Sequence, residues 1–179
     1  MPLLAYKTQP SVFLFCIVMF GFLFSCTKSE AQVNNPAYRT MLKGMYKNTV
    51  PLMSVQEAAT CNKAVYVFLD TREKKEYNVS HLQNALWVGY NDFTPARISA
   101  ISKDTPVVVY CSVGYRSERI GEQLLALGYT QVYNLYGGIF EWVNQRESVV
   151  DNQNQNIKKV HAYSKTWGIW VSGVEKVYD

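Results

Sequence analysis

The chain has 179 residues, 48% of them hydrophobic, and 18 Lys and Arg against 14 Asp and Glu leave a net charge of +4. That length holds one ordinary domain, and the composition can fill a core, which excludes a disordered chain. The positive excess is mild and carries no run of five basic residues, so charge alone gives no case for nucleic acid as a partner.

The chain opens with Lys7 and an apolar run from Ser11 to Phe24, followed by Ser25 and Cys26. The run is short of the roughly 20 residues that cross a bilayer and has the length of a signal-peptide core. Its end, LFSC (Leu23 to Cys26), resembles the lipobox of bacterial lipoproteins, although Phe24 is bulkier than that pattern usually shows. The resemblance implies cleavage of residues 1–25 and lipidation of Cys26, which would hold the protein to a membrane facing the periplasm. An uncleaved N-terminal anchor and an ordinary secretory signal are the alternatives, and all three export the protein. Residues 26–36, polar and without periodicity, read as a tether.

The elements then follow in order. Tyr38, Met41, Leu42 and Met45 recur at helical spacing, which predicts a helix over 37–47. VPLM (50–53) reads as a short strand, and Ser54 with Glu57 makes a capping box for a helix over 55–60. Strands are expected at 64–70, 85–88, 107–110 and 131–135. Between and after them come helical segments at 72–77, 92–100, 117–127 and 138–146. Alternating strands and helices, with the continuous apolar runs AVYVFL and PVVVY, predict an α/β fold: a three-layer sandwich with a central parallel sheet and helices on both faces. A domain over 37–146 is followed by a C-terminal aromatic extension, 147–179. Its DNQNQN stretch (151–156) reads as a linker, with one or two added strands and a hairpin turning near Ser164 to Gly168.

With Cys16 in the signal and Cys26 lipidated, Cys61 and Cys111 remain in the domain. Cys61 precedes one strand and Cys111 follows another. In a parallel sheet this puts them at opposite ends, upward of roughly 15 Å apart, too far for a disulfide. Cys111 is therefore expected as a free thiol at the carboxyl edge of the sheet, where open α/β sheets bind ligands. In VVVYCSVGYRSERIG it lies between a strand and a helix. If the loop curls round the sulfur, the N–H groups of Ser112 to Ser117 can converge on an anion. The helix N-terminus and Arg116 would then favour the thiolate, the reactive form. Gly114 permits a tight loop, and Ser117 with Glu118 and Glu122 reads as an ordinary N-cap. A small buried structural cysteine is the plainer alternative.

CSVGYRS resembles the active-site loop of single-domain rhodaneses: cysteine, two residues, glycine, one residue, arginine, serine. DTREKKEYNVSHLQNA (70–85) is similar to the family's segment carrying Asp70, Arg72, Glu76, Tyr77, His81 and Ala85, and LYGGIFEW (135–142) to its closing element. Ser80 and Asn84 stand where the family usually has glycines; Asn tolerates left-handed backbone. The resemblance implies a rhodanese-like fold and a sulfurtransferase. Cys111 would attack the sulfane sulfur of a small anionic donor such as thiosulfate or a persulfide, hold it as a persulfide, and pass it to a thiol or cyanide. Ser112, Val113, Gly114, Tyr115, Arg116 and Ser117 would bind the donor, with Asp70 and Arg72 supporting the loop. No metal or cofactor is implied. For Arg72, Glu76 and His81, a hydrogen-bonded turn beside the site is the expected role.

Rhodanese-fold phosphatases form the nearest rival. They place five residues between Cys and Arg, whereas Ser112 to Tyr115 are four, which sizes the cradle for sulfur. Thiol–disulfide exchange would want a CXXC pair, which Cys111 lacks. A sulfane-sulfur carrier or docking module without turnover is the alternative from another class. The tail, with His161, Tyr163, Trp167 and Trp170, would either pack at the domain edge or fold over the site.

Overall fold

A computed structural model describes residues 33–178; the expected signal, the expected lipidation site Cys26 and most of the expected tether lie outside the described residues. Helix α1 (Pro36–Met45) is capped by Asn35, whose side chain accepts the N–H groups of Ala37 and Tyr38. Strand β1 (Leu52–Met53) leads into α2 (Val55–Thr60), which starts with the expected Ser54–Glu57 capping box. There follow β2 (Val67–Asp70), α3 (Lys74–Val79), β3 (Leu86–Trp87), a 3-10 turn (Pro95–Ile98), β4 (Val107–Tyr110), α4 (Tyr115–Ala126), β5 (Val132–Leu135) and α5 (Gly138–Asn144). All five strands are parallel, in the order β1-β5-β4-β2-β3.

Strand alternation splits the interior in two. Phe68, Val108 and Tyr110 point to one face, into a core shared with Tyr38 and Leu42 of α1, Val55 and Ala58 of α2, and Ile139, Phe140 and Val143 of α5. Leu69, Val107 and Val109 point to the other, against Ile98 and against Ile120 and Leu124 of α4. Each face thus has its own hydrophobic layer, and every residue of β4 is fully buried. The fold is the α/β sandwich that the alternating pattern implies.

Several boundaries moved, each for a local reason. The strand expected from 64 begins at Val67, because the carbonyl of Asn62 accepts the N–H groups of both Val65 and Tyr66 and turns the chain there. The helix expected over 92–100 is one 3-10 turn opened by Pro95. The stretch read as a linker at 151–156 is instead a hairpin turn: β6 (Val149–Val150) pairs antiparallel with β7 (Asn156–Ile157). Asp151 closes it by accepting the N–H groups of Gln153 and Gln155. The hairpin expected near Ser164–Gly168 does not form. There β8 (Lys159–His161) and β9 (Glu175–Val177) run parallel, with the short helix α6 (Lys165–Gly168) inside the connection that a parallel pair requires. The end of the expected tether is also docked: Val33 is fully buried and the Asn34 N–H donates to Glu141.

Candidate active site

Strands β2 and β4 end side by side, Asp70 paired with Tyr110 in register. Beyond that edge the chain turns through Cys111, which is 1% exposed and has a free thiol, as has Cys61. The loop curls back on the sulfur: the N–H of Gly114 donates to Cys111 Sγ at 3.1 Å. Gly114 has φ +96, and a side chain there would also collide with the Tyr46 hydroxyl, so no other residue serves at this point.

Gly114, not Ser117, is the residue before the helix. Because its left-handed backbone closes the loop early, α4 starts at Tyr115. The first-turn amides of Tyr115, Arg116 and Ser117 then lack intrahelical acceptors, two residues closer to the sulfur than expected. Ser117 consequently sits inside the helix, fully buried, and donates to Asn134 Oδ1 at 2.7 Å. Its hydroxyl bonds to β5, and Ser117 is not among the residues that line the cavity over the sulfur.

Three contacts that sequence reading missed hold the loop. Asn134 Nδ2 donates to the Gly114 carbonyl at 2.9 Å. The Tyr46 hydroxyl donates to the Val113 carbonyl and accepts the Gly137 N–H. The amides of Ile139 and Phe140, opening α5, donate to the carbonyls of Cys111 and Ser112 at 2.9 and 3.1 Å. That last approach explains the paired glycines of LYGGIF: a Cβ on Gly138, whose φ is +58, would meet the Cys111 and Ser112 carbonyls. Tyr46 and Asn134 gave no signal in the sequence, since a tyrosine just past an amphipathic helix and an asparagine in a strand have many uses.

Asp70 and Arg72 form a fully buried pair. Asp70 accepts from the Arg72 main-chain N–H, Nε and Nη2, and Nη2 also donates to the Ser80 carbonyl at 2.6 Å. They do not touch the cysteine loop, contrary to direct support from beneath. They instead bind the two ends of α3 to the sheet, and α3 carries Glu76. Glu76 is the link to the loop: its carboxylate takes Arg116 in a bidentate pair at 2.7 and 2.8 Å and accepts from Ser112 Oγ at 3.0 Å. Burial would raise the Glu76 pKa, but hydrogen bonds and charge from Arg116, with the charge of Arg72, hold it at about 2. Burial likewise opposes the Arg116 charge, and Glu76 pushes its pKa further up. Arg116 therefore stands beside the thiol with its charge already matched.

His81 is nearly buried, stacked on Tyr77 at 3.9 Å, with Nδ1 against the Tyr77 carbonyl. Its main chain pairs with Val150 in both directions, a structural role. Asn84 has φ +62, so the asparagine carries the left-handed backbone at a position where the resemblance expects glycine.

Over the sulfur lies a cavity of about 700 Å³ reached by Cys111, Ser112, Val113, Tyr115 and Arg116. Tyr163 and Trp167 of the C-terminal segment line it too, and the Tyr163 ring lies 5.5 Å from the Arg116 guanidinium. The tail both packs and reaches the site: Val160, Ala162 and Val171 are in the core while Tyr163 is at the mouth. Among the described residues no cluster of His, Cys, Asp and Glu is arranged to hold a metal ion.

The rhodanese-like domain family matches residues 54–145, just over half of the chain. A relative from Tolumonas auensis, named thiosulfate sulfurtransferase GlpE, is 34% identical over 91 residues, 50% of this chain and 85% of the relative. A tRNA uridine(34) hydroxylase of Pectobacterium carotovorum is 30% identical over 121 residues, 65% of this chain but 33% of the hydroxylase. Among solved structures, the thiosulfate sulfurtransferase of Pseudomonas aeruginosa is similar with a TM-score of 0.55 at 20% identity, covering 78% of this chain and 27% of that one. The BH2092 protein of Bacillus halodurans gives 0.53 at 21% identity, covering 65% and 87%. These last two establish likeness of fold. The thiol at the end of β4, the four-residue loop closed by Gly114 and the Gly-Gly turn at α5 all lie within the matched span, and the chain belongs to the rhodanese-like domain family.

Proposed function

We propose that this protein is a sulfurtransferase that moves sulfane sulfur through a persulfide on Cys111. The observation that carries the reading is the Gly114 N–H directed at Cys111 Sγ, at the N-terminal end of the twelve-residue helix α4 and at the base of an open cavity. Amide hydrogen bonds and a helix N-terminus stabilise a thiolate and, after transfer, the terminal sulfur of a persulfide, in the manner of an oxyanion hole. With thiosulfate, the thiolate attacks the outer sulfur, the S–S bond breaks, and sulfite leaves with the bonding pair. An acceptor thiolate or cyanide then attacks the outer persulfide sulfur and returns Cys111 as thiolate. No net oxidant is consumed.

The name of the Tolumonas relative, of which this chain spans most, supports sulfur transfer. This chain matches only about a third or a quarter of the hydroxylase relatives' length, so their activity does not carry over. The four residues between Cys111 and Arg116, and the engagement of Arg116 by Glu76, favour a sulfur over a phosphate in the cradle.

Mass spectrometry of the protein after exposure to thiosulfate or a persulfide tests this. One added sulfur, about 32 Da, should appear and should be absent in Cys111→Ser. Continuous sulfite release with cyanide present distinguishes an enzyme from a carrier. No mass gain with any sulfane donor refutes the proposal, and faster hydrolysis of aryl phosphates would replace it.

A further inference from the structure

The cavity over Cys111 is large and poorly charged for a small dianion. Its volume of about 700 Å³ lies in the range of pockets that enclose drug-sized organic molecules. Of the charged groups at its wall, Lys75 and Arg116 are balanced by Glu73 and by the Glu76 clasp on Arg116, so the formal charges cancel. The rest of the wall is largely apolar or aromatic: Met45, Tyr90, Val113, Tyr115, Tyr163 and Trp167.

Two of these rings, Tyr163 and Trp167, lie on one segment, and the first is placed at a cost. The segment carrying them is pinned on both sides. Before it, Ala162 is buried and its N–H donates to the Val177 carbonyl at 2.8 Å. After it, Trp170 stacks on Tyr38 at 5.3 Å and its carbonyl accepts from Asn144. Between the pins Tyr163 adopts φ +65, a left-handed backbone that is strained for a residue with a Cβ. The residue is nonetheless 50% exposed, so its burial does not offset the strain. Its N–H donates to His161 Nδ1 at 3.1 Å, and Trp167 follows in α6, which Ser164 caps. A strained residue that lines the cavity over the thiol, its ring 5.5 Å from the Arg116 guanidinium, is the kind of outlier from which function is argued.

We propose, resting on the sulfurtransferase reading, that the donor is an organic persulfide, R–S–SH, whose aromatic or aliphatic R group seats against Tyr163 and Trp167. The Cys111 thiolate attacks the terminal sulfur, the R–S–SH bond between sulfurs breaks, and RS⁻ departs with the electron pair, leaving Cys111–S–SH. Tyr163 and Trp167 act as specificity residues: they hold the leaving half of the donor, whereas thiosulfate offers only a charged sulfonate to the same surface.

The test compares kcat/KM for benzyl persulfide and for thiosulfate, both read as Cys111 persulfidation, in the full protein. The wild type should prefer benzyl persulfide by at least about tenfold, the scale on which an apolar pocket discriminates. The Tyr163→Ala/Trp167→Ala double variant should lose most of that ratio, and Tyr163→Phe should keep it. Equal or better use of thiosulfate by the wild type, or an unchanged ratio in the double variant with its unfolding midpoint intact, overturns the inference while leaving sulfur transfer standing. Absence of a mass gain with both donors would instead defeat the underlying reading.

Discussion

Two arginine–carboxylate pairs flank α3 and teach different lessons. In Asp70–Arg72 both side chains are sealed, 0% and 0% exposed; they hydrogen-bond each other and the backbone of Arg72 and Ser80, with the Arg72 guanidinium 5.8 Å from the Tyr110 ring. In Glu76–Arg116 the carboxylate is sealed but the arginine keeps 15% exposure at the cavity wall and shares Ser112 Oγ with its partner. The first pair fixes where α3 lies; the second uses that position to set the charge beside the thiol. The same chemistry is sealed within the fold in one pair and reaches the cavity wall in the other.

The largest effect should come from breaking the sealed pair. Arg72→Met leaves the Asp70 carboxylate buried without its cation, and urea unfolding should show a loss of about 3–5 kcal/mol. Persulfidation per folded molecule should fall far less. Equal damage to both would erase the distinction between the pairs.

Breaking the second pair from the arginine side should reverse that profile. Arg116→Met leaves the Glu76 carboxylate uncompensated next to Ser112 and near the sulfur, where it opposes both thiolate and persulfide. Single-turnover persulfidation should slow by about tenfold or more with any donor. Stability should drop less than in Arg72→Met, because water reaches the vacated position. A variant that reacts at the wild-type rate would show Arg116 to be an ornament of the fold.

Removing the carboxylate charge should cost less stability than Arg72→Met and slow sulfur transfer less than Arg116→Met, and it should give the clearest pH signature. The pKa of Glu76 is lowered from 4.5 to about 2 on folding. Its stabilisation is therefore complete above pH of about 4.5 and is lost as pH falls through about 2, up to about 3 kcal/mol in all. Wild type should shed that amount across the window, and Glu76→Gln should not. Glu76→Gln should also use thiosulfate several-fold better, since Arg116 no longer has its charge matched. Parallel acid unfolding curves for the two proteins would contradict this assignment.

Most of the sheet and the identity of the reactive loop were legible in sequence, and the misses have particular causes. β4 is buried on both faces, so VVVY reads as a strand without ambiguity, and its limits came out as expected. The start of α4 did not, because Ser117 looks like a cap and only the backbone of Gly114 shows that the helix has already begun. The tail was misread at Ser164–Gly168 because a short apolar stretch with turn residues fits a hairpin as well as a parallel pair. Parallel pairing depends on what the segment docks against.

By itself, the sequence determined the alternation of strands and helices, the thiol just past a buried strand and the glycine that lets the loop turn back. These follow from side-chain periodicity and from local backbone sterics, which act within a few residues. Tertiary structure alone decided which carboxylate matches Arg116, which residues hold the loop carbonyls and which rings wall the cavity. Glu76 is 40 positions from Arg116, Asn134 is 20 from Gly114 and Tyr46 is 67 from Val113. Contacts over such separations are set by strand order and by the way each helix packs on its face of the sheet, and no local pattern records them.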